Sequence, residues 1–394
     1  MSDQDIVLAG ATRSPIGKFL GGLSDVGAVD LGVNTVAAVL ERTGLASDDV
    51  DQVFFGMARQ AGIGPNPARQ IQIGVGIPHT ATAITVNQAC ASGLRAITLA
   101  ANEVRDGNAR ACIAGGVETM SRNPFMLPDM RKGYRLGDRP VLDGNFADGF
   151  TCPLVGGPMG GTAETLAERY EIDRESQDRF AMESQNKAEV AQKAGRFKDE
   201  IAPVTVKTRK GEVIVDTDEH MRHGTTMEAL AKLPAVFKKG GTVHAGNSSG
   251  ITDGAAAVLV TSAGYAKEKG LTVMARLTAN AMAGVDPAIM GIGPVPATQK
   301  LLVNTGLSLS DMDLVELNEA FAAQVIACDR ELGLDAERLN VNGGSIALGH
   351  PIGCTGTRIV VTLLHEMVKR DAKRGLASLC VSGGMGISAL FERD

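Results

Sequence analysis

A degenerate internal repeat constrains the fold of this chain more than any other feature of its sequence. Short motifs recur in the same order at offsets that change only from 262 to 268. The matched residues are Thr43-Gly44-Leu45 with Thr305-Gly306-Leu307, Gly93 with Gly356, Arg95 with Arg358, and Cys112 with Cys380. Because order and spacing hold over about 75 residues, the sequence predicts two related halves, 1–120 and 270–394.

The segment between the halves, 121–249, has a different character and is predicted to be an inserted loop domain. Residues 121–160 are rich in Pro, Gly and Asp, whereas 162–196 show helical spacing and strong helix formers. We expect 250–269 to return to the first half. Within the halves, apolar β-branched runs alternate with Ala-rich segments. The predicted strands include 109–117 and 377–382, and the predicted helices 28–42 and 93–104. This alternation is typical of an α/β fold with buried sheets.

Composition and charge exclude several classes of function. The net charge is −6, which leaves no basic footprint for nucleic acid or an anionic membrane. No apolar run is long enough for a spanning helix, and the termini resemble neither a signal peptide nor a peroxisomal address. The six cysteines are scattered, so we expect free thiols and a cytoplasmic location.

Cys90 is the first candidate for chemistry. An apolar β-branched run ends at Asn87, and a helical run begins just after Cys90, among small neighbours. This pattern places the thiol at a strand-to-helix turn, where the helix dipole favours the thiolate and lowers its pKa. The alternative is a buried structural cysteine in an Ala-rich helix.

His350 lies in a Gly-rich loop, 342–356, that opens a helix and is the main insertion of the second half relative to the first. Such a loop can present an imidazole as a general base with few side chains blocking access. The alternative is a structural turn with a surface histidine. The repeat pairs this loop with the Cys90 turn and favours function.

Two further candidates lie at predicted strand ends. Cys380 precedes a Gly-rich turn, where a thiol can serve as acid or base and the turn's N–H groups can bind an oxyanion; the alternative is a core cysteine, like its repeat mate Cys112. Asn318 opens a predicted helix. It is interpreted as an N-cap that could also hold a catalytic water.

Weaker signals point elsewhere. Gly246-Asn247-Ser248-Ser249-Gly250 matches the G-x-S-x-G pattern of serine hydrolases, but the expected helix does not follow at once. His220 and His223 lack a third ligand at zinc spacing, so no metal site is predicted. A nucleophilic Cys, a loop-borne His and a second Cys together indicate covalent acyl chemistry. A cysteine protease would use the same Cys/His logic, and composition does not separate the two.

The ordered motifs identify a family. Over essentially its whole length the chain resembles the thiolases, in particular the acetyl-CoA acetyltransferases and 3-ketoacyl-CoA thiolases. The motifs that carry the likeness are Asn87-Gln88-x-Cys90-x-Ser92-Gly93-Leu94-Arg95, Asn318-Glu319-Ala320-Phe321, Gly349-His350-Pro351-Ile352-Gly353 and Cys380-Val381-Ser382-Gly383-Gly384. The resemblance implies the thiolase fold, with two duplicated α/β halves in α-β-α-β-α layers and an inserted loop domain.

The resemblance also implies a role for each site residue in reversible ping-pong acyl transfer between 3-ketoacyl-CoA and CoA. Cys90 is the acylated nucleophile, and His350 activates it and helps bind the thioester oxygen. Asn318 holds a water that completes this oxyanion hole. Cys380 is the second acid/base, which protonates the leaving CoA or takes the alpha proton from the second acetyl group. The backbone N–H of Ser382 forms another oxyanion hole with that of Cys90.

By the same likeness, coenzyme A is a substrate bound on the insertion, and no prosthetic group is needed. The implied CoA contacts are Arg222 near the adenosine end, Ser249 by the pantetheine, and Met159, Phe237, Met290 and Phe321 along the groove. The partners are small-molecule acyl-CoA thioesters, and a homotetramer built from dimers is expected.

Two positions depart from the family pattern. Acetoacetyl-specific members commonly have His before the loop-domain Met, whereas this chain has Pro158-Met159. Ser382 stands where the family usually has Gly, which a Ser replaces without strain only if φ is negative. Chain length and net direction are left open. The alternatives are a ketoacyl synthase that uses carrier-protein substrates and a non-catalytic acyl-CoA- or lipid-binding protein on this fold.

Overall fold

A mixed sheet of ten strands runs through both halves of the chain. The structure is a computed structural model that describes residues 1–394. The strands are β1 (Ile6–Arg13), β2 (Gly17–Lys18), β3 (Gln52–Gly56), β4 (Thr82–Val86), β5 (Ala111–Thr119), β6 (Phe125–Met126), β7 (Leu142–Asp143), β8 (Thr151–Cys152), β9 (Gly157–Pro158), β10 (Val204–Thr208), β11 (Gly211–Val215), β12 (Thr252–Ser262), β13 (Val273–Gly284), β14 (Leu314–Leu317), β15 (Arg374–Val381) and β16 (Met385–Glu392). The helices are α1 (Ala28–Thr43), α2 (Pro67–Gly74), α3 (Ser92–Arg105), α4 (Met159–Arg169), α5 (Arg174–Lys193), α6 (Met227–Ala231), α7 (Ala263–Glu268), α8 (Pro294–Thr305), α9 (Ala322–Leu332), α10 (Ser345–Leu348) and α11 (Ile352–Arg370).

Strand order shows how the two halves meet. The main path of the sheet is β14-β15-β16-β13-β1-β12-β5-β3-β4, and β2 pairs with β12. β12 therefore lies between two strands of the first half. Antiparallel pairing of β1 with β13 joins the strands of one half to those of the other. The predicted elements are present with ends shifted by up to three residues.

Helices cover the sheet in layers, which confirms the α/β fold class. α3 and α11 share one apolar core with residues from the sheets of both halves, such as Ala114 and Leu379. A second core packs α1 and α2 on the opposite face of the first-half strands. A third packs α8 and α9 against the second-half strands. The first-half and second-half strands of the sheet thus form two layers, each between helices, and the order is helix, sheet, helix, sheet, helix.

The repeated glycines have matching structural roles. Gly44 and Gly306 end α1 and α8 with the same left-handed φ of 68°, a conformation that other residues adopt only with strain. Gly93 and Gly356 lie where α3 and α11 touch. A Cβ on Gly93 would lie 2.6 Å from the backbone N of Thr357, and one on Gly356 would lie 2.3 Å from that of Leu94. The repeat therefore preserves a backbone contact between the halves.

The stretch 162–196 of the insertion, predicted to be helical, forms two helices, α4 and α5. Glu171 has a left-handed φ of 50° between them. Asp173 then caps α5 by accepting a hydrogen bond from the Ser176 N–H at 2.7 Å. None of the helices combines the length and apolar character that a bilayer span requires.

Candidate active site

Cys90 lies at the strand-to-helix turn that its sequence context predicts. β4 ends at Val86, a short 3-10 helix spans Ala89–Ala91, and α3 begins at Ser92. Ser92 Oγ accepts a hydrogen bond from the Gln88 N–H at 2.9 Å and donates one to the Ala89 carbonyl at 2.7 Å. These bonds hold Ala89 at a φ of 46°, a conformation with a steric cost. The turn is thereby fixed, and the thiol with it.

The loop-borne His350 reaches this thiol from the other half of the chain. Its Nε2 lies 3.3 Å from Cys90 Sγ, and its Nδ1 lies 2.6 Å from Thr355 Oγ1. The Thr355 hydroxyl donates to the Pro351 carbonyl at 3.0 Å, so its oxygen is free to accept the Nδ1 proton. This arrangement assigns the Nδ1–H tautomer, in which the Nε2 lone pair faces the thiol.

The electrostatics of this pair differ from the sequence prediction. Burial raises the pKa of Cys90 to about 11 and outweighs the nearby Ser382 N–H and Arg59, which favour the thiolate. Burial lowers the pKa of His350 to about 3. The predicted fall in the pKa of the thiol is therefore wrong for this buried site. Removal of water raises the free energy of the thiolate by more than the local dipoles lower it. At neutral pH the pair is a thiol facing a neutral imidazole.

Asn318 presents an unpaired amide N–H₂ group. Its Oδ1 accepts a hydrogen bond from Ser345 Oγ at 2.6 Å, and Arg358 Nη2 donates to the same Ser345 oxygen at 3.1 Å. This chain fixes which side of the amide is oxygen. The Nδ2 atom is buried without a partner. The N-cap interpretation was wrong, since Phe321 occupies the cap position of α9.

Cys380 and Ser382 lie at the end of β15. Cys380 is fully buried, and burial, followed by the charge of Cys90, raises its pKa well above the ordinary value. The backbone N–H of Ser382 is directed at the Cys90 thiol. Positive φ occurs at Gly383 and Gly384 but not at Ser382. The serine is therefore accommodated without the strain that a left-handed conformation would impose.

Two adjoining cavities lead to Cys90. The inner one, of about 90 Å³, is lined by Cys90, His350 and Ser382 among others, and the outer one has a volume of about 620 Å³. All six residues predicted to contact CoA line these cavities. Met159, Ser249 and Phe321 line both, Met290 lines the inner one, and Arg222 and Phe237 line the outer one. The site therefore combines a buried reaction centre with a larger outer cavity that adjoins it.

The minor sequence candidates do not form separate sites. Ser248 Oγ donates to the backbone carbonyl of His244, not to its ring, so no serine hydrolase arrangement is present. The His244 ring instead contacts Asp178 at 2.7 Å. His220 lines the outer cavity, whereas His223 lies 3.7 Å from Glu189 on the surface.

Arg59 is a residue of this site that sequence analysis missed. It lines the inner cavity, is 3% exposed, and places its guanidinium 4.8 Å from the centre of the Phe150 ring. A signal was available, because the repeat offset of 262 equates position 59 with Phe321. The repeat therefore placed it on a loop equivalent to one that carries site residues.

Comparison with known proteins decides the family. Models of the thiolase N-terminal and C-terminal domains match residues 6–264 and 271–393. The chain belongs to the thiolase family. This thiolase is 52% identical to an acetyl-CoA acetyltransferase of Pseudomonas aeruginosa over 99% of this chain and 100% of that protein.

Solved structures extend the likeness to three dimensions. A Bacillus anthracis acetyl-CoA acetyltransferase superposes with a TM-score of 0.97 at 45% identity, with 98% of each chain covered. Human mitochondrial 3-ketoacyl-CoA thiolase in complex with CoA gives 0.95 at 41% identity, covering 100% of this chain and 98% of that one. The chain is an acyltransferase with CoA-dependent thiolase activity, which replaces the carrier-protein and non-catalytic alternatives.

Proposed function

We propose that this enzyme transfers acyl groups by a ping-pong mechanism through a thioester on Cys90. The observation that carries the proposal is the 3.3 Å contact between Cys90 Sγ and His350 Nε2 on the wall of the inner cavity, which adjoins an outer cavity of about 620 Å³. An unprotonated nitrogen facing a thiol accepts its proton as the sulfur attacks a carbonyl. The pair needs no preformed thiolate.

The first half-reaction builds the acyl-enzyme. As Cys90 attacks, its proton moves to His350 Nε2, which then donates a hydrogen bond to the thioester oxygen of the CoA substrate. The free Asn318 amide supplies a second donor through a water molecule. Because these donors are fixed by Thr355 and Ser345 before the reaction, they stabilise negative charge on that oxygen without rearranging.

The second acid/base is Cys380. In the condensation direction it removes a proton from the methyl carbon of acetyl-CoA, and in thiolysis it returns one to that carbon. The backbone N–H groups of Cys90 and Ser382, which point at the Cys90 sulfur, form the second oxyanion hole and bind the carbonyl oxygen of the acyl group on Cys90. A pKa far above the ordinary value suits Cys380 to hold a proton until a carbanion forms beside it.

Coenzyme A is the substrate that we place along the outer cavity, on the 121–249 insertion. The walls of the two cavities offer apolar surface suited to pantetheine, from Met159, Phe237, Met290 and Phe321. Ser249 lines both cavities beside them. Arg222 lines the outer cavity and has an exposed side chain. It is placed to pair with a phosphate of CoA near the adenosine end.

Chain length is the property to measure first. The inner cavity of about 90 Å³ supports short acyl chains, and Pro158, on the wall of the outer cavity, replaces the histidine of strictly four-carbon enzymes. We expect thiolysis of four- and six-carbon 3-ketoacyl-CoA with kcat/KM falling by at least about tenfold at sixteen carbons, since each excess methylene lacks a place in the cavity. Turnover of none of these substrates would overturn the proposed function.

We also propose a homotetramer of paired dimers and a cytoplasmic location. β4 is an outermost strand of the sheet, with Ile84 48% exposed, and such edges pair with other chains. The segment 125–146 exposes Phe125, Met130 and Leu136, an apolar surface typical of interfaces.

The proposed cytoplasmic location is supported by the six cysteines, all of which are free. Enzyme recovered from a detergent-free soluble extract should give four chain masses by light scattering; one chain mass would contradict the tetramer.

A further inference from the structure

The guanidinium of Arg59 is buried beside the reaction centre without adequate hydrogen-bond partners. Its Nε and Nη1 atoms have none, and Nη2 makes one long bond of 3.3 Å to the Asn145 carbonyl. A guanidinium carries five N–H donors and stays charged, so leaving most of them unpaired away from water is costly. Such a group is poised for a ligand that supplies acceptors.

Three carboxylates, those of Glu118, Asp148 and Asp143, act on the charge of Arg59, but none accepts a hydrogen bond from its guanidinium. Glu118 accepts hydrogen bonds from the backbone N–H groups of Ala58, Arg59 and Gly353 at 2.9–3.1 Å. Asp148 lines the inner cavity but is solvent-exposed. None of the three satisfies the free guanidinium nitrogens.

The surroundings hold the Arg59 side chain in place. A Cβ on Gly149 would lie 1.8 Å from Nη2, so this position packs directly against the guanidinium and has no room for a side chain. Phe150 covers the guanidinium at 4.8 Å from its ring centre. The inner cavity is lined by these three residues, Arg59, Gly149 and Phe150, and by Cys90. A fixed cation therefore shares the space that receives the acyl chain.

We propose that Arg59 binds a carboxylate at the far end of the acyl chain, so that the preferred substrates are CoA thioesters of short 3-keto dicarboxylic acids. The inference rests on the proposed thiolase function and specifies its substrate class. A carboxylate is the acceptor that a guanidinium fork matches best, with two parallel charge-assisted hydrogen bonds. The inner cavity of about 90 Å³ limits the chain to a few carbons between the thioester and the carboxylate.

For a six-carbon substrate the reaction is fully defined. Cys90 sulfur bonds to C3 of the 3-ketoadipyl group, and the bond between C2 and C3 breaks. Its electron pair stays on C2, which takes a proton from Cys380, and acetyl-CoA leaves. The succinyl group on Cys90 then passes to the sulfur of incoming CoA. The CoA thiol proton goes to Cys380, and the proton held by His350 returns to the Cys90 sulfur as that sulfur leaves. Arg59 pairs with the free carboxylate of that succinyl group throughout.

Two substrates of equal chain length test the proposal. Thiolysis of 3-ketoadipyl-CoA is compared with that of 3-ketohexanoyl-CoA, in which a methyl group replaces the carboxylate. We expect kcat/KM to favour the carboxylate by 10- to 100-fold, on the order of a charge-assisted hydrogen bond. Arg59→Met should bring this ratio close to one, and Arg59→Lys should keep part of it as a point charge.

Further variants separate binding from folding. Gly149→Ala retains the charge but displaces the guanidinium, so it should also reduce the ratio, whereas Arg105→Met at the exposed end of α3 should retain it. Turnover of both substrates at equal rates by the unchanged enzyme would overturn this inference and leave the thiolase function standing. Equal loss on both substrates in Arg59→Met would assign Arg59 to the Cys90 thiol and overturn it too. If neither substrate is cleaved, the proposed function itself fails.

Discussion

Replacing Cys90 by alanine is expected to abolish thiolysis, with a loss of kcat on the order of 10⁴-fold or more, as for other covalent nucleophiles. The variant lacks the sulfur that would carry the acyl group. His350 Nε2 then faces no thiol from which it could accept a proton. Mass spectrometry after mixing with acetyl-CoA should show one acetyl adduct on the unchanged enzyme and none on Cys90→Ala. Because the thiol is small, the thermal midpoint should shift by only a few degrees.

Cys112→Ala is the matched control for this experiment. Cys112 is also a fully buried free thiol, on β5 and in the apolar core, so its variant should keep both the adduct and the activity. An adduct that persists in Cys90→Ala would place the acyl group on another residue. It would remove the basis of the proposed mechanism.

Replacing Cys380 by alanine should separate the two half-reactions. Cys90 and His350 form the new thioester bond, so the acetyl adduct should still form, but more slowly because Cys380 no longer protonates the CoA that leaves. Condensation and cleavage need a proton moved at carbon, so both should fall by about 10³-fold, within the range of general acid–base catalysis. Exchange of the methyl protons of acetyl-CoA with deuterated water, followed by NMR, should stop with them.

Cys328→Ala tests whether loss of any buried thiol in the second half has the same effect. Cys328 is fully buried on α9 and donates a hydrogen bond to the Gly291 carbonyl, outside the two cavities. It should cost stability without stopping methyl exchange. Exchange at the normal rate in Cys380→Ala would assign the proton transfer to a different group.

The α/β class and the two related halves could be predicted because their determinants are local and repeated, whereas the layer order was implied by the family resemblance. Glycine recurs at positions 93 and 356 because α3 and α11 touch there through their backbones, and this contact leaves no room for a side chain. The break at Glu171 was not predicted, since its residues are compatible with a continuous helix. Only the Asp173 cap and a left-handed φ, both seen in the structure, divide the segment.

The site was predictable where motifs specify a turn and unpredictable where environment decides. Cys90 and His350 follow from local chain geometry and family likeness. The pKa of Cys90 was predicted with the wrong sign, because burial is a property of the whole fold. The orientation of the Asn318 amide depends on Ser345 and Arg358, which are distant in sequence. Arg59 was not singled out because its guanidinium nitrogens lack hydrogen-bond partners only in the folded chain, and no sequence pattern indicates this.

The contact between α3 and α11 has a consequence for what each half can do alone. α3 begins two residues after the nucleophile, and α11 begins two residues after the base, so the helices that bury Gly93 and Gly356 against each other also carry the reacting pair. The first half alone would contain the nucleophile Cys90 without its base, and the second half alone would contain the base His350 without its nucleophile. Duplication is thus a condition of the chemistry as well as a mark of ancestry: the reaction exists only where two copies of one architecture meet.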